Sequence, residues 1–210
     1  MHLKTFVFNM VEENTYLIYD DKKNAILIDC GAYTSDEQST LVDFIESNEL
    51  RLKHVLNTHL HFDHIMGNHF IYEQYGLRPE YNEKEESMPG MKEEMELSYY
   101  GIKFKPVRAE HYIHENDEIV VGNIRLEAIL TPGHSPGSLS FYSKENHCVF
   151  TGDALFQHSI GRTDLWGGNQ QQLVSSIQKK LLTLPDNTIV YPGHGPSTII
   201  GNEKKYNPYL

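Results

Sequence analysis

Between positions 59 and 64, four of six residues carry metal-binding side chains: His59, His61, Asp63 and His64, in the pattern H-x-H-x-D-H. Three distant pieces add to them: Thr131-Pro132-Gly133-His134, Thr151-Gly152-Asp153 and Tyr191-Pro192-Gly193-His194. Five histidines and two aspartates are enough for two adjacent divalent ions, and such pairs activate water for hydrolysis. For these pieces to work together, the chain must fold so that loops far apart in sequence share one edge. Gly or Pro flanks each of the later pieces, as expected where strands end in tight loops.

The spacing suits a pair of ions. In extended chain, residues i and i+2 point the same way, so His59 and His61 can reach one ion. Asp63 and His64 fall where the chain enters a helix and can turn toward a second. His134 completes three nitrogens on the first ion, and His194 joins Asp63 and His64 on the second. Asp153 has two oxygens and can bridge. Ions roughly 3.5–4 Å apart can share one water and depress its pKa toward neutrality.

The 210 residues fit one domain, 1–210, and at 39% hydrophobic content they can fill a core. The net charge of −11 argues against nucleic acid and anionic membrane as partners. Residues 1–19 contain no apolar run of signal-peptide length, and no stretch approaches the roughly 18 apolar residues of a membrane helix. Cys30 and Cys148 read as buried, reduced thiols. A cytoplasmic protein is expected. The sequence sets no oligomeric state.

Thr5–Phe8, Thr15–Tyr19 and Ala25–Ile28 read as strands. Ser35-Asp36-Glu37-Gln38 reads as a capping box opening a helix with Leu41, Phe44 and Ile45 on one face. His54–Asn57 is a short strand delivering the H-x-H-x-D-H loop. A helix is expected from Ile65 to Tyr75, with Gly76 closing it. Residues 82–101 are charged and broken by Pro89-Gly90. They read as a solvated surface excursion with an acidic helical turn over Lys92–Tyr100; the sharper alternative is a mobile flap with its methionines and Tyr99-Tyr100 underneath. Gly122-Asn123 signals a hairpin between Ile119–Val121 and Ile124–Leu130. Ser138–Tyr142 and His147–Thr151 form another pair of strands. Asn169 to Leu181 reads as a helix, and Thr188–Tyr191 as the last strand. Two halves, each a sheet with helices outside, give an α+β four-layer αββα sandwich.

These residues resemble the metallo-β-lactamase superfamily over nearly the whole chain. The motifs are Ile28-Asp29-Cys30-Gly31, Asn57–His64, Thr131–Ser138, Phe150–Phe156, Gly161-Arg162-Thr163-Asp164 and Tyr191–Pro196. Within the superfamily the chain is similar to the glyoxalase II-like hydrolases in a short form, since little chain follows His194 to form their C-terminal helical domain. The resemblance implies His59, His61 and His134 on one metal, and Asp63, His64 and His194 on the other, with Asp153 bridging. Asp29 would steady the ligand loop. Cys30 stands beside the site without a ligand role. Arg162 falls where the long enzymes place a basic substrate-binding residue and would pair with a substrate carboxylate. His158 is a weaker candidate in the same loop.

The expected activity is hydrolysis of a small-molecule thioester, with Asp63 and Asp153 as catalytic carboxylates. A thioester releases a thiol of pKa near 8.5, which departs with little help from an acid; an amine would need protonation more. Nitrogen and oxygen donors suit zinc first, and are compatible with iron or manganese. One alternative is a persulfide dioxygenase, with a single iron held by residues corresponding to His59, His134 and Asp153. Another is a non-catalytic metal-binding module.

Overall fold

The structure, a computed structural model, describes residues 1–91, 95–97 and 102–210. β1 (His2–Phe8) and β2 (Glu13–Tyr19) form a hairpin, and β3 (Asn24–Ile28) extends it antiparallel. β4 (Arg51–Leu56) and β5 (Pro79–Glu80) then run parallel to β3. Parallel pairing requires a crossover. α1 (Ser35–Ser47) makes the first, and α2 (Phe62–Ile65) with α3 (Asn68–Tyr75) makes the second. β6 (Met95–Leu97) and β7 (Ile102–Phe104) pair as a small hairpin of their own. The second large sheet begins with β8 (Glu118–Val121), β9 (Ile124–Leu130), β10 (Leu139–Ser143) and β11 (Cys148–Gly152). A short ribbon follows, β12 (Leu155–Phe156) and β13 (Ser159–Ile160). After α4 (Gln170–Ser176), β14 (Ile189–Pro192) and β15 (Thr198–Ile199) complete the sheet, and α5 (Ile200–Tyr206) ends the fold. The large sheets are ordered β1-β2-β3-β4-β5 and β15-β14-β11-β10-β9-β8.

Side-chain alternation builds the four layers. Tyr16, Ile18, Ile26, Ile28 and Leu56 point from the first sheet into a shared core with Ala128, Phe141 and Phe150 of the second. Their neighbours Leu17, Ala25, Leu27 and Val55 point outward onto Leu41 and Ile45 of α1 and Ile71 of α3. On the far side, Ile129, Tyr142, Val149 and Val190 pack on Leu173, Ile177, Leu181 and Ile200. Sheets covered on both faces read as near-continuous apolar runs, as β3 and β11 do. Among the described residues no helix is long and apolar enough to cross a membrane.

The expected elements shift in four places. The capping box is set one residue earlier: Thr34 caps α1 and Glu37 returns the bond. The helix expected from Ile65 to Tyr75 is two helices, because the chain bends at Met66-Gly67 to pass Cys30, whose carbonyl accepts from Gly67 N at 2.8 Å. Asn169 caps α4 as expected, but Ile177–Leu181 continues as a π-helical turn. The turn places the Lys180 ammonium against Glu115 Oε2 (2.6 Å) and Leu130 O (2.7 Å). Over Lys92–Tyr100 the described part, Met95–Leu97, is a strand paired with Ile102–Phe104 rather than a helical turn. Tyr99 and Tyr100 lie outside the described residues.

The excursion at 82–91 is not wholly solvated. Met88 and Met91 are buried with Leu60, Ile65, Met66 and Tyr81, directly beneath the H-x-H-x-D-H loop.

Candidate metal centre

β9, β11 and β14 run in the same direction, because β10 is antiparallel to both β9 and β11 while β14 is parallel to β11. The loops carrying His134, Asp153 and His194 therefore leave one edge. The loop after β4 meets them there: Leu139 N donates to Thr58 O, and Asn14 N donates to Gly193 O. Asn14 Nδ2 also donates to Pro192 O and Gly195 O, and Tyr16 OH donates to Pro192 O.

All seven candidate ligands converge on that edge. The ligand atoms of His59, His61 and His134 lie within 4.8 Å of one another, and so do those of Asp63, His64 and His194. His61 Nδ1 is 2.7 Å from His134 Nε2, which is 3.2 Å from His59 Nε2. On the other side His194 Nε2 is 3.0 Å from Asp63 Oδ2, and His64 Nε2 is 3.4 Å from the same oxygen. Asp153 stands between the groups. Its Oδ2 lies 3.5 Å from His134 Nε2, while its Oδ1 lies 3.3 Å from His64 Nε2 and 3.8 Å from His194 Nε2.

Four imidazoles are oriented from behind. His59 Nδ1–H meets Thr58 Oγ1 at 3.0 Å, and His64 Nδ1–H meets Asp29 Oδ2 at 2.9 Å. His134 Nδ1–H meets Arg162 O at 2.7 Å, and His194 Nδ1–H meets Val11 O at 3.1 Å. Each contact fixes a ring and leaves Nε2 facing inward, the arrangement that metal-binding histidines share. Asp29 is committed to support: it also accepts from Thr58 N and Thr58 Oγ1, both at 2.7 Å. It lies near His59 and His64 but has no oxygen left to offer an ion.

The donor set fits a pair of cations. His64 Nε2 and Asp153 Oδ1 are buried without a well-formed hydrogen bond, and such an atom costs about 1–3 kcal/mol if nothing meets it. Burial, and then the crowding of neighbouring imidazoles, pushes His59 well down; burial pushes His61 down to about 4 and lowers His134 despite Asp153. These three are neutral donors at physiological pH. Burial raises Asp153 and Asp63, but His64 and His194 together, with His134 also beside Asp153, more than offset it, so both remain anionic. Burial lowers His64, yet Asp63, Asp153 and Asp29 together raise it well above its ordinary value. A proton sits there when no cation does, so metal entry must release it.

Among the remaining candidates, Arg162 borders the site, but its guanidinium is exposed and bidentate to Asp164, with Nε to Oδ1 at 2.7 Å and Nη2 to Oδ2 at 2.8 Å. His158 is exposed and absent from the cavity wall; its backbone N–H donates to Glu203. Cys30 is buried, with its thiol pushed up by burial.

Glu85 escaped the sequence reading. It lies in an acidic run yet is fully buried, accepting from Leu60 N (2.9 Å), Ser135 Oγ (2.7 Å) and Gly137 N (2.6 Å). It joins the loop of His59 and His61 to the loop of His134. In sequence nothing separates it from Glu83 and Glu86.

A cavity of about 500 Å³ opens over the centre, lined by His61, Asp63, His134, Asp153 and His194 and by apolar residues of two flanking loops.

The chain is similar to known proteins over nearly its whole length. Residues 10–194 match the family model described as the metallo-beta-lactamase superfamily. A probable metallo-hydrolase of Bacillus subtilis, YqgX, is 39% identical over 95% of this chain and 93% of its own. A protein of Haemophilus influenzae named hydroxyacylglutathione hydrolase GloC is 37% identical, over 100% and 98%. The mitochondrial persulfide dioxygenase ETHE1 of Bos taurus is 31% identical, over 93% and 70%. Among solved structures, that of BLEG-1 B3 metallo-beta-lactamase superposes with a TM-score of 0.87 at 33% identity, covering 100% and 99% of the chains. That of TTHA1623 in a di-iron-bound form gives 0.83 at 32%, covering 99% and 100%.

Proposed function

Because the chain belongs to the metallo-beta-lactamase superfamily, we propose that it is a two-metal hydrolase of small-molecule thioesters, with a glutathione-type thiol as the first carrier to test. The observation that carries this reading is Asp153, one oxygen toward His134 and the other toward His64 and His194. A carboxylate so placed suits two cations better than one. The Haemophilus relative's name supports the thioester, and the di-iron neighbour supports the pair of ions.

Bound there, two divalent ions would supply an activated water and polarise the substrate carbonyl. The chain's own part is to hold that water and its proton. Asp63 Oδ2 faces the centre, anionic and paired with His194, and is the base placed to hold a proton released from water. Asp153 stays anionic between the two groups and keeps them at one spacing. Net hydrolysis breaks the C–S bond, puts the water's oxygen on the acyl carbon, and releases a carboxylic acid and a thiol. Among the described residues no carboxyl group beyond Asp63 and Asp153 lines the cavity, and both are anionic, which suits a leaving group with a parent pKa near 8.5.

The dioxygenase alternative needs one iron on His59, His134 and Asp153. It leaves Asp63, His64 and His194, equally converged, without a role. Full convergence of the seven side chains also argues against a metal-binding module without activity. The test is elemental analysis of the purified protein together with three assays: S-lactoylglutathione hydrolysis, oxygen uptake with glutathione persulfide, and β-lactam hydrolysis. Thioester turnover with two metals per chain is expected. Oxygen uptake with one iron and no thioester turnover would replace the proposal.

A further inference from the structure

Two lips border the cavity, and each is anchored to a candidate ligand through a backbone carbonyl. Val11 O holds His194, and Arg162 O holds His134. On the first lip Met10 and Val11 face the cavity and remain 50% and 42% exposed. On the second Leu165 faces it and remains 41% exposed, with Trp166 beside it at 58%. Phe62 and Phe156 line the space between.

The first lip cannot fold its apolar side chains away. Asn9 and Glu12 bracket it in left-handed conformation, with φ of 53° and 57°. Asn9 N donates to Glu37 Oε1 at 2.6 Å, and Asn9 Nδ2 donates to Gly31 O and Asp63 O. The same turn that steadies the loops of Asp63 and His194 thus holds Met10 and Val11 out in water. Large apolar groups fixed at the rim of a cavity mark a surface that an apolar ligand covers. Charge agrees. Among the described residues Arg162 is the one Lys or Arg on the cavity wall, and two of its three nitrogens are held by Asp164.

We infer that the acyl group of the substrate is an apolar chain, seated between Val11 and Leu165 with its carbonyl toward Asp153. This rests on the thioester reading above and narrows it, since a short hydroxylated acyl group would leave both lips in water.

The test uses the metal-loaded protein and two series. The first is calorimetric binding of S-methyl-, S-butyl- and S-hexylglutathione, non-hydrolysable thioethers whose alkyl chain stands where the acyl chain would. The second is kcat/KM for S-acetyl-, S-butyryl- and S-hexanoylglutathione. Affinity and kcat/KM should rise about two- to fourfold per methylene, the upper figure corresponding to full burial of each group. In a Val11→Ser/Leu165→Ser double variant the hexyl-to-methyl ratio should fall at least fivefold. Thioester turnover with a flat or falling series, or a ratio unmoved by the double variant, overturns the inference and leaves the hydrolase reading standing. Rising thioether affinity with no thioester turnover keeps the apolar seat and overturns the hydrolase reading instead.

Discussion

Glu85 and Ser135 lie fifty positions apart, and the Ser135 hydroxyl donates to the Glu85 carboxylate at 2.7 Å in the closed interior beneath the candidate metal centre. With Leu60 N and Gly137 N on the same carboxylate, one side chain fixes the distance between the loops of His59, His61 and His134. Burial raises its pKa against those donors, so part of the cost of keeping it there is the charge itself. Glu85→Ala strands two backbone N–H groups and a hydroxyl and should cost about 2–4 kcal/mol. Glu85→Gln keeps the volume but swaps one acceptor oxygen for a donor, and should weaken metal binding about 10–100-fold. Chelator competition and thermal melts separate the two effects, and unchanged metal affinity in a folded Glu85→Gln protein contradicts the positioning role.

Asp153→Ala should reduce turnover about a thousandfold or more, since it removes the one carboxylate facing both groups and several kcal/mol of charge stabilisation. Metal content should fall from about two per chain toward one. Elemental analysis after desalting reads this directly, and a variant with full metal and full turnover refutes the bridging role.

Gly193 must be glycine for reasons of space. A Cβ there would lie 2.2 Å from Asp153 Oδ1 and 2.7 Å from His64 Cε1. Gly193→Ala should displace Asp153 or His64 and cost at least about tenfold in activity, the effect of roughly 1 Å of misplacement or less. The metal on the Asp63, His64 and His194 side should be the weaker of the two in a titration. Two unperturbed binding steps would count against it.

Arg162 and Asp164 should have opposite effects. Both are exposed, and such a pair adds little stability. Arg162→Ala leaves the carbonyl that holds His134, so kcat should stay within about twofold while KM for a glutathione thioester rises roughly three- to tenfold. Asp164→Ala frees the guanidinium and should lower KM. Steady-state kinetics decide, and parallel changes in both variants would return the pair to a surface role.

Asp20 supplies a pH test away from the metals. Burial works against its charge, but donors on Asn24, Asn123 and Lys22 bring it down to about 2, below its ordinary 3.8. A depressed carboxylate stabilises the fold fully above pH 3.8 and loses that contribution as the pH falls through 2. Asp20→Asn should therefore be less stable than the parent by about 1–2 kcal/mol at pH 6, with the gap closing toward pH 2. A gap that widens in acid gives the opposite sign and excludes the explanation. The same carboxylate ties the β2–β3 turn to Asn123 of the β8–β9 turn, so the two sheets should loosen together.

The H-x-H-x-D-H run and the three Gly- or Pro-flanked pieces determined the ligand candidates, because metal-binding side chains are rare enough, and their spacing local enough, to stand out in a linear reading. The apolar runs of β3 and β11 and the period-two run of β9 determined the sheets for the same reason: strand patterning is a property of neighbours. The break at Met66-Gly67 and the π turn at Ile177–Leu181 came from contacts with Cys30, Glu115 and Leu130, which a helical period does not contain. Only the tertiary structure selected Glu85 from three glutamates in four positions, committed Asp29 to Thr58 and His64, and set Val11 and Leu165 on opposite lips of one cavity. Each of those facts is a distance between residues remote in the chain, and burial and hydrogen-bond partners are fixed by such distances rather than by residue type.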